Sequence, residues 1–202
     1  MLPYVIFAAL LVLWCTLHSV LATDCCKGRI GRLFDLHGRH YRLFYNLFSL
    51  ATLLPLLFWG WTLPGPVLLT WDGTGRLLRT LLWLVAAVFI VGGCRRYDLT
   101  GFAGLTDPAG EGDGSDKLVT SGILGIVRHP WYTAAFIVLW ARDLDLPALL
   151  VSAVFSLYLV IGARLEERRL VEEFGEAYRR YRSQVPMFIP WKWPLHLIRR
   201  GR

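Results

Sequence analysis

Polar surface is what this chain has least of. Only 18% of its 202 residues are charged, against 55% apolar and 14% aromatic. That is too little polar cover for a soluble domain of this length, so the chain reads as an integral membrane protein. Cysteine is sparse as well: Cys15 and Cys94 lie in apolar segments and Cys25-Cys26 in a basic loop, with no C-x-x-C pair and no disulfide framework. The first apolar segment lacks a basic n-region and a small-residue cleavage site, and positive charge follows it, which argues for a retained span over a signal peptide. His37 and His40 would share one face of a helix, but no complete metal-ligand set gathers around them. No internal repeat, second domain or nucleic-acid signal is visible, because the net charge of +7 sits at the edges of apolar runs, where anionic lipid headgroups attract it.

What is present is a set of apolar runs. Pro3 to Ala22, Leu43 to Leu63 and Leu77 to Cys94 each come close to the roughly 20 residues that cross a hydrocarbon core of about 30 Å. Thr133 to Ala141, even with a few added residues, rises only about 15 Å, whereas Pro147 to Arg164 is near full length. The expected fold is all-α: an integral membrane bundle of about five transmembrane helices, with four or five crossings and the fourth short or tilted. One membrane domain is expected, with residues 1–97 as a three-helix scaffold, 98–117 as a cytoplasmic loop and 118–190 as the functional core.

Basic residues set the expected orientation, because cytoplasmic loops are enriched in Lys and Arg. Lys27, Arg29, Arg32, Arg39 and Arg42 fall in the first loop, Arg95, Arg96, Lys117 and Arg128 in the third, and a long basic run begins at Arg164. The opposite side holds Arg76, Arg79 and Arg142. The amino terminus is therefore expected outside and the carboxyl terminus inside. His18-Ser19 reads as a helix contact, Pro55 as a kink site, residues 62–75 as purely connective, and the Gly-rich acidic run Ala109 to Asp116 as a mobile cytoplasmic loop. Beyond Glu167 the spacing Leu170, Phe174, Tyr178, Tyr181, Val185 predicts an amphipathic interfacial helix on the inner leaflet, ended by Pro186 and Pro190, with Trp191 and Trp193 as anchors.

Two groups carry chemistry: Arg128-His129-Pro130-Trp131-Tyr132 and Glu166-Glu167. Between them lies an apolar hairpin, Thr133 to Ala141 and Pro147 to Ala163, turning at Arg142-Asp143-Leu144-Asp145, so the basic and acidic groups can meet. Ionisable side chains beside hydrocarbon are costly unless paired, solvated or liganded, and such a meeting place is a functional-site hypothesis. The alternative is interfacial anchoring by snorkelling side chains. Pro130 disfavours helix at His129 and can start the next one, whose N-terminal amides suit an anionic group.

Leu118-Val-Thr-Ser-Gly122, Arg128-His-Pro-x-Tyr132 and Glu166-Glu-x-x-Leu170-x-x-x-Phe-Gly-x-x-Tyr178-x-x-Tyr181-x-x-x-Val-Pro186 together resemble the isoprenylcysteine carboxyl methyltransferase family. Its superfamily also holds phospholipid N-methyltransferases, bacterial methanethiol S-methyltransferases and NnrU-type proteins. Leu17-His-Ser19, Tyr41-Arg-Leu-Phe-Tyr45-Asn46 and Asp98-Leu-Thr-Gly101 look more like the thiol-methylating and NnrU-like branch. The resemblance implies a bacterial inner-membrane enzyme that binds S-adenosyl-L-methionine at the cytoplasmic interface and takes its acceptor, a small thiol or a lipophilic molecule, from the bilayer. By position, the cofactor contacts would be Lys117, Leu118, Val119, Leu124, His129, Pro130, Trp131, Tyr132 and Glu166, and the catalytic residues Arg128, Glu167 and Arg164. Leu124 stands where the family often has Tyr, and Gly162 where an Arg is associated with the prenylcysteine substrate. The first removes a ring contact; the second leaves Arg164 as the nearest substitute and points away from a prenylcysteine acceptor, and together they are what would favour a non-catalytic role.

The residue types suit that chemistry on their own terms. A cationic sulfonium would be favoured by Glu166 or Glu167 and by the face of Tyr132 or Trp131. In-line methyl displacement needs no covalent enzyme intermediate, so positioning and desolvation can supply catalysis. Arg128 would hold a thiolate, a carboxylate of the acceptor, or that of the cofactor. Two other readings remain at this level: a nicotinamide-dependent membrane reductase of the sterol-reductase type, and a non-catalytic membrane factor that keeps the fold.

Overall fold

The computed structural model describes residues 1–95, 99–106 and 118–192. Its elements are α1 (Leu2–Leu21), α2 (Asp24–Phe34), α3 (Gly38–Thr62), β1 (Val67–Leu69), α4 (Thr74–Cys94), α5 (Leu99–Ala103), a 3-10 turn (Gly122–Gly125), α6 (Pro130–Trp140), β2 (Leu144–Asp145), α7 (Leu146–Phe174) and α8 (Glu176–Gln184). Among the described residues four helices, α1, α3, α4 and α7, are long and apolar enough to cross a membrane. The chain is thus a helical membrane protein. The expected short crossing is α6, whose 11 residues rise only about 16 Å. Arg96, Tyr97, Asp98, the run Ala109 to Asp116, Lys117 and Trp193 lie outside the described residues.

The chain forms two compact units. One contains α1 to α3, α5, the two strands and α7 as far as Phe155. Here α1 and α3 run antiparallel along a ladder of matched contacts. Phe7 is fully buried against Gly60, where an added Cβ would stand 2.2 Å from the ring, and meets Trp59 edge-on. Further along, the Trp14 indole donates to Thr52 Oγ1 at 3.0 Å, and the Tyr41 hydroxyl donates to the Leu21 carbonyl at 2.7 Å. His18 sits between them with Nδ1 2.9 Å from Ser49 Oγ and Nε2 2.7 Å from the Tyr45 hydroxyl. The helix contact expected of His18 is therefore made with α3 side chains. On α3, Arg42 and Asn46 donate to the Gly101 and Phe102 carbonyls and hold α5 in place.

Two details of this unit differ from the sequence reading. The outer loop after α3 is more than connective, because β1 pairs antiparallel with β2, Val67 opposite Asp145 and Leu69 opposite Leu144. His37 is the extended N-cap residue of α3, so it does not share a helical face with His40. Asp145 then starts α7: its Oδ1 accepts from the Ala148 amide at 2.8 Å, and Pro147 in the first turn needs no such partner.

The second unit contains α4, the 3-10 turn, α6, α7 from Ser156 and α8. Its apolar centre is Ala86 and Phe89 of α4 with Val127 and Ala134, flanked by Ile123, Ile126, Ile137 and Val138. Gly92 and Gly93 admit the chain here. An added Cβ would lie 3.1 Å from Ile123 at the first and 1.9 Å from Trp131 Nε1 at the second, so the backbone of α4 is the wall that Trp131 leans on. At the far end of α6, the carbonyls of Leu139 in its last turn, of its C-cap Ala141 and of the following Arg142 accept from side chains. Trp83 donates to Ala141 O at 2.7 Å, Trp71 to Arg142 O at 3.0 Å and Arg142 Nε to Leu139 O at 3.2 Å. A helix that stops short needs such donors, because exposed carbonyls in an apolar surround are costly.

The stretch after Glu167 is two helices rather than one. Gly175 breaks it with φ +54°, a conformation that glycine adopts without Cβ strain. This turn lets Tyr178, Tyr181 and Val185 pack on Leu118, Leu170, Val171 and Phe174. The amphipathic helix is present as α8, and its apolar face is covered by the chain itself.

Gly93→Ala is expected to overpack the Trp131 contact and cost about 1–3 kcal/mol. In a detergent melting assay this reads as a fall of about 2–4 °C per kcal/mol; an unchanged melting temperature would mean that Trp131 is free to move aside.

Candidate functional site

The site grows from the corner where the 3-10 turn meets α6. Pro130 occupies the first helical position and His129 is the N-cap, with φ −122° and ψ 73°, so the chain turns sharply at the point the Arg-His-Pro sequence predicts. The segment after α8 closes over this corner. The amides of Arg128 and His129 donate to the Pro186 and Met187 carbonyls at 3.0 and 3.2 Å. Thr133 Oγ1 lies 2.9 Å from Phe188 O and 3.0 Å from His129 O. The two amides that the proline corner leaves ahead of α6 are thus occupied by protein carbonyls. Residues 185–188 form a strap pinned at three successive points.

Beneath the strap, charges meet across the hairpin as expected. Arg128 Nε donates to Glu167 Oε1 at 2.6 Å, with both side chains more than nine-tenths buried. Its Nη1 donates to the Arg182 carbonyl at 3.0 Å and also to the Val185 carbonyl. The same Glu167 Oε1 lies 3.3 Å from His129 Nε2. A carboxylate oxygen of this kind only accepts, so it favours the His129 tautomer that carries the proton on Nε2. The other ring nitrogen, Nδ1, then faces Glu166 Oε2 at 3.5 Å, and Glu166 is about half exposed. Tyr178, nearly fully buried beside this cluster, has its phenol pushed up by burial, an effect that the Glu167 charge reinforces and Arg128 opposes.

An aromatic wall completes the corner. The His129 ring stacks on Tyr132 with centroids 5.3 Å apart and planes at 11°. Phe188 lies against His129 at 5.9 Å and meets Phe136 edge-on at 5.0 Å. On α7, Gly162 and Glu166 are one turn apart on one face, and the Cβ position of Gly162 lies 3.8 Å from the Tyr132 hydroxyl.

The structure therefore gathers Arg128, His129, Pro130, Tyr132, Glu166 and Glu167 at one corner. Trp131 is turned toward Gly93 of α4. Leu118 and Leu124 belong to the packing around α8, where the Tyr181 hydroxyl donates to the Leu124 carbonyl at 2.7 Å. Val119 is half exposed. Arg164 is exposed and makes no hydrogen bond or ion pair among the described residues, and Lys117 falls outside them. Sequence reasoning missed Thr133, Phe136 and the strap carbonyls of residues 185–188. The Val-Pro pair at 185–186 marked a helix end, but nothing in a side-chain pattern announces a carbonyl as an acceptor.

Comparison with known proteins bears on this corner. The chain is 31% identical over 193 residues to methanethiol S-methyltransferase 1 of Bradyrhizobium diazoefficiens, covering 91% of this chain and 65% of that protein. It is 34% identical over 154 residues to the methanethiol S-methyltransferase of Pseudomonas deceptionensis, covering 69% of this chain and 56% of the relative. A shorter match, 40% over 77 residues, links it to the protein-S-isoprenylcysteine O-methyltransferase of Schizosaccharomyces pombe, over 36% of this chain and 33% of that one. The chain thus spans less than two thirds of the length of these relatives. No solved structure matches it. The family model described as NnrU protein matches residues 6–195, and with nearly its whole length covered the chain belongs to the NnrU protein family.

Proposed function

We propose that the chain is a membrane methyltransferase that uses S-adenosyl-L-methionine to methylate the sulfur of a small thiol or another lipophilic acceptor. One observation carries this reading: two carboxylates, one buried and one half exposed, flank a single histidine beside a stacked aromatic ring. The names of the methanethiol-methylating relatives support it. S-adenosyl-L-methionine, when bound, supplies a methyl group on a cationic sulfur that a thiolate displaces in line.

The residues at the corner fit such a group. Glu166 offers a solvent-reachable carboxylate and Tyr132 a ring face, and both favour a cation. Glu167 and Arg128 act as positioning residues, because Glu167 Oε1 and the Arg128 Nε and Nη1 are committed to each other, to His129 and to the strap. Arg128 has its Nε and Nη1 committed to protein acceptors, so its role is to fix Glu167 and the strap rather than to grip the acceptor. With Nε2 directed at Glu167, His129 presents Nδ1 as the atom that takes the proton from the acceptor thiol. Tyr132, Phe136 and Phe188 keep water from the reacting sulfur. The corner faces the cytoplasmic side, with the amino terminus outside, and the acceptor enters from the bilayer along α7.

Two measurements test this assignment. Glu166→Ala should weaken binding of S-adenosyl-L-methionine, which carries the cationic sulfur, by about tenfold or more, as expected for loss of a charged contact near 1.5–3 kcal/mol. Glu172→Ala, on the exposed later part of α7, should leave binding unchanged. Equal affinities in the two variants, or thermal stabilisation by NADPH in place of S-adenosylhomocysteine, would sink the cofactor assignment. Glu167→Ala leaves the Arg128 guanidinium buried without its partner and should cost about 3–5 kcal/mol. Replacing the pair together, Arg128→Met with Glu167→Leu, should recover most of that stability without restoring turnover, since His129 has still lost its Nε2 partner. If turnover returns with stability, Glu167 is structural only.

A further inference from the structure

Where α8 has its apolar face covered by the chain itself, α2 is left open. On a helix of 3.6 residues per turn, Cys26, Ile30, Leu33 and Phe34 fall within an arc of about 100°. Lys27 and Arg29 stand at the two edges of that arc, while Asp24, Gly28, Gly31 and Arg32 lie on the far side. The far side is the one the chain covers: Gly31 is buried, and a Cβ there would stand 2.7 Å from the Leu36 carbonyl. On the apolar arc Leu33 is 75% and Phe34 64% exposed. Burying a glycine while exposing a leucine and a phenylalanine side by side is unfavourable for a helix bathed in water, so the open face has another occupant.

The neighbouring helices fix where that face sits. α1 ends at Leu21 and α3 starts at Gly38, and the Tyr41 hydroxyl donates to the Leu21 carbonyl at 2.7 Å, so two spanning helices are tied together at one edge of the bilayer. α2 has 11 residues, about 16 Å of helix, and is joined to both spans through residues 22–23 and 35–37. It therefore stays in the boundary layer of the leaflet where α1 ends. Its charges fit that layer. Arg29 makes no hydrogen bond or ion pair among the described residues. Lys27 meets Asp24 at 3.2 Å in an exposed pair, which water screens to little value. Arg32 Nε donates to the Gly28 carbonyl on the far side, and Asp35, the left-handed residue that ends the helix, faces His37 at 3.5 Å. We infer that α2 is an interfacial docking helix for anionic phospholipid: Ile30, Leu33 and Phe34 enter the acyl boundary of that leaflet, and Lys27 and Arg29 hold lipid phosphates at either edge of the apolar arc. The inference is independent of the methyl-transfer reading, since none of these residues belongs to the corner.

The test uses the full-length protein in nanodiscs with a fluorophore on a single cysteine, placed either at Leu33→Cys or, on the opposite pole of the helix, at Gly28→Cys, where an added Cβ meets nothing within 4 Å. Cys15, Cys25, Cys26 and Cys94 are alanine in both. The label at 33 should be quenched by doxyl groups on lipid acyl chains, and by aqueous iodide about fivefold less than the label at 28. At low salt, doxyl-phosphatidylglycerol should compete for its surroundings with about fivefold or more the affinity of doxyl-phosphatidylcholine, and Lys27→Gln with Arg29→Gln should bring that ratio near one. Hydrogen exchange needs no cysteine change: the α2 amides of the unaltered chain should exchange about tenfold slower in discs containing phosphatidylglycerol than in phosphatidylcholine alone. A label at 33 that iodide reaches as freely as the one at 28 puts the face in water, and one that neither quencher reaches puts it under protein, a second copy included. Either result overturns the proposal. Equal affinities for the two lipids, a preference that survives the double variant, or equal exchange rates in the two discs overturn it as well, by removing the anionic lipid.

Discussion

A carboxylate removed from water must be surrounded by donors or it will not stay charged, and Glu167 is this chain's instance of that rule. One of its oxygens receives both the Arg128 guanidinium and the His129 ring. Those two residues are adjacent in sequence, while Glu167 lies on another helix. A single acceptor thus fixes the direction of two consecutive side chains, which is possible only where Pro130 forces the chain out of helix and splays them toward the same point. The arginine is then left with a second nitrogen to satisfy, and it finds the Arg182 and Val185 carbonyls at the end of α8.

From that requirement the rest of the second unit follows. Carbonyls can be offered to Arg128 only if the chain doubles back after α7, and a continuous helix would carry them away along its axis. Gly175 provides the reversal, Tyr178 and Tyr181 tie α8 to the body, and the strap brings the Pro186 and Met187 carbonyls onto the amides that Pro130 leaves outside the helix. The strap therefore satisfies backbone groups at the same corner where it satisfies a buried cation. This economy explains why residues far apart in sequence meet there: each supplies what the proline corner lacks.

The parts of this arrangement that side chains announce were legible in the sequence. Apolar runs marked α1, α3, α4 and α7, the short run before Arg142 marked α6, and opposite charges at either end of the hairpin marked the meeting of the Arg128–Tyr132 group with Glu166-Glu167, though not which side chain pairs with which. His18, a polar residue inside an apolar run, marked a contact with α3. What could not be read is carried by backbone. The strap carbonyls and the pairing of Val67 and Leu69 with Asp145 and Leu144 use atoms that every residue has, and the carbonyls that the Trp71 and Trp83 indoles reach are backbone too, so no residue type betrays where these contacts form. The Gly175 break belongs with these, since Leu170, Phe174, Tyr178 and Tyr181 keep helical spacing across it and only the glycine signals a change of direction.

The shortness of α6 is the last step. Its first turn must present His129 and Tyr132 at the corner, and its last carbonyls end about 16 Å away, too soon to leave an apolar layer about 30 Å thick. A helix ending there is viable only where donors wait for its carbonyls. Trp83, Trp71 and Arg142 supply them, and the Trp140 indole reaches Ser156 of α7 at 2.9 Å. These contacts hold α6 at its far end while Gly93 seats Trp131 at the near end. The Tyr132 ring is thereby carried on a helix fixed at both termini, rather than on a loop. Any chemistry that depends on the spacing between His129, Tyr132 and Glu166 inherits that rigidity, and the indoles at the opposite end of α6 are as much a part of it as the charges at the corner.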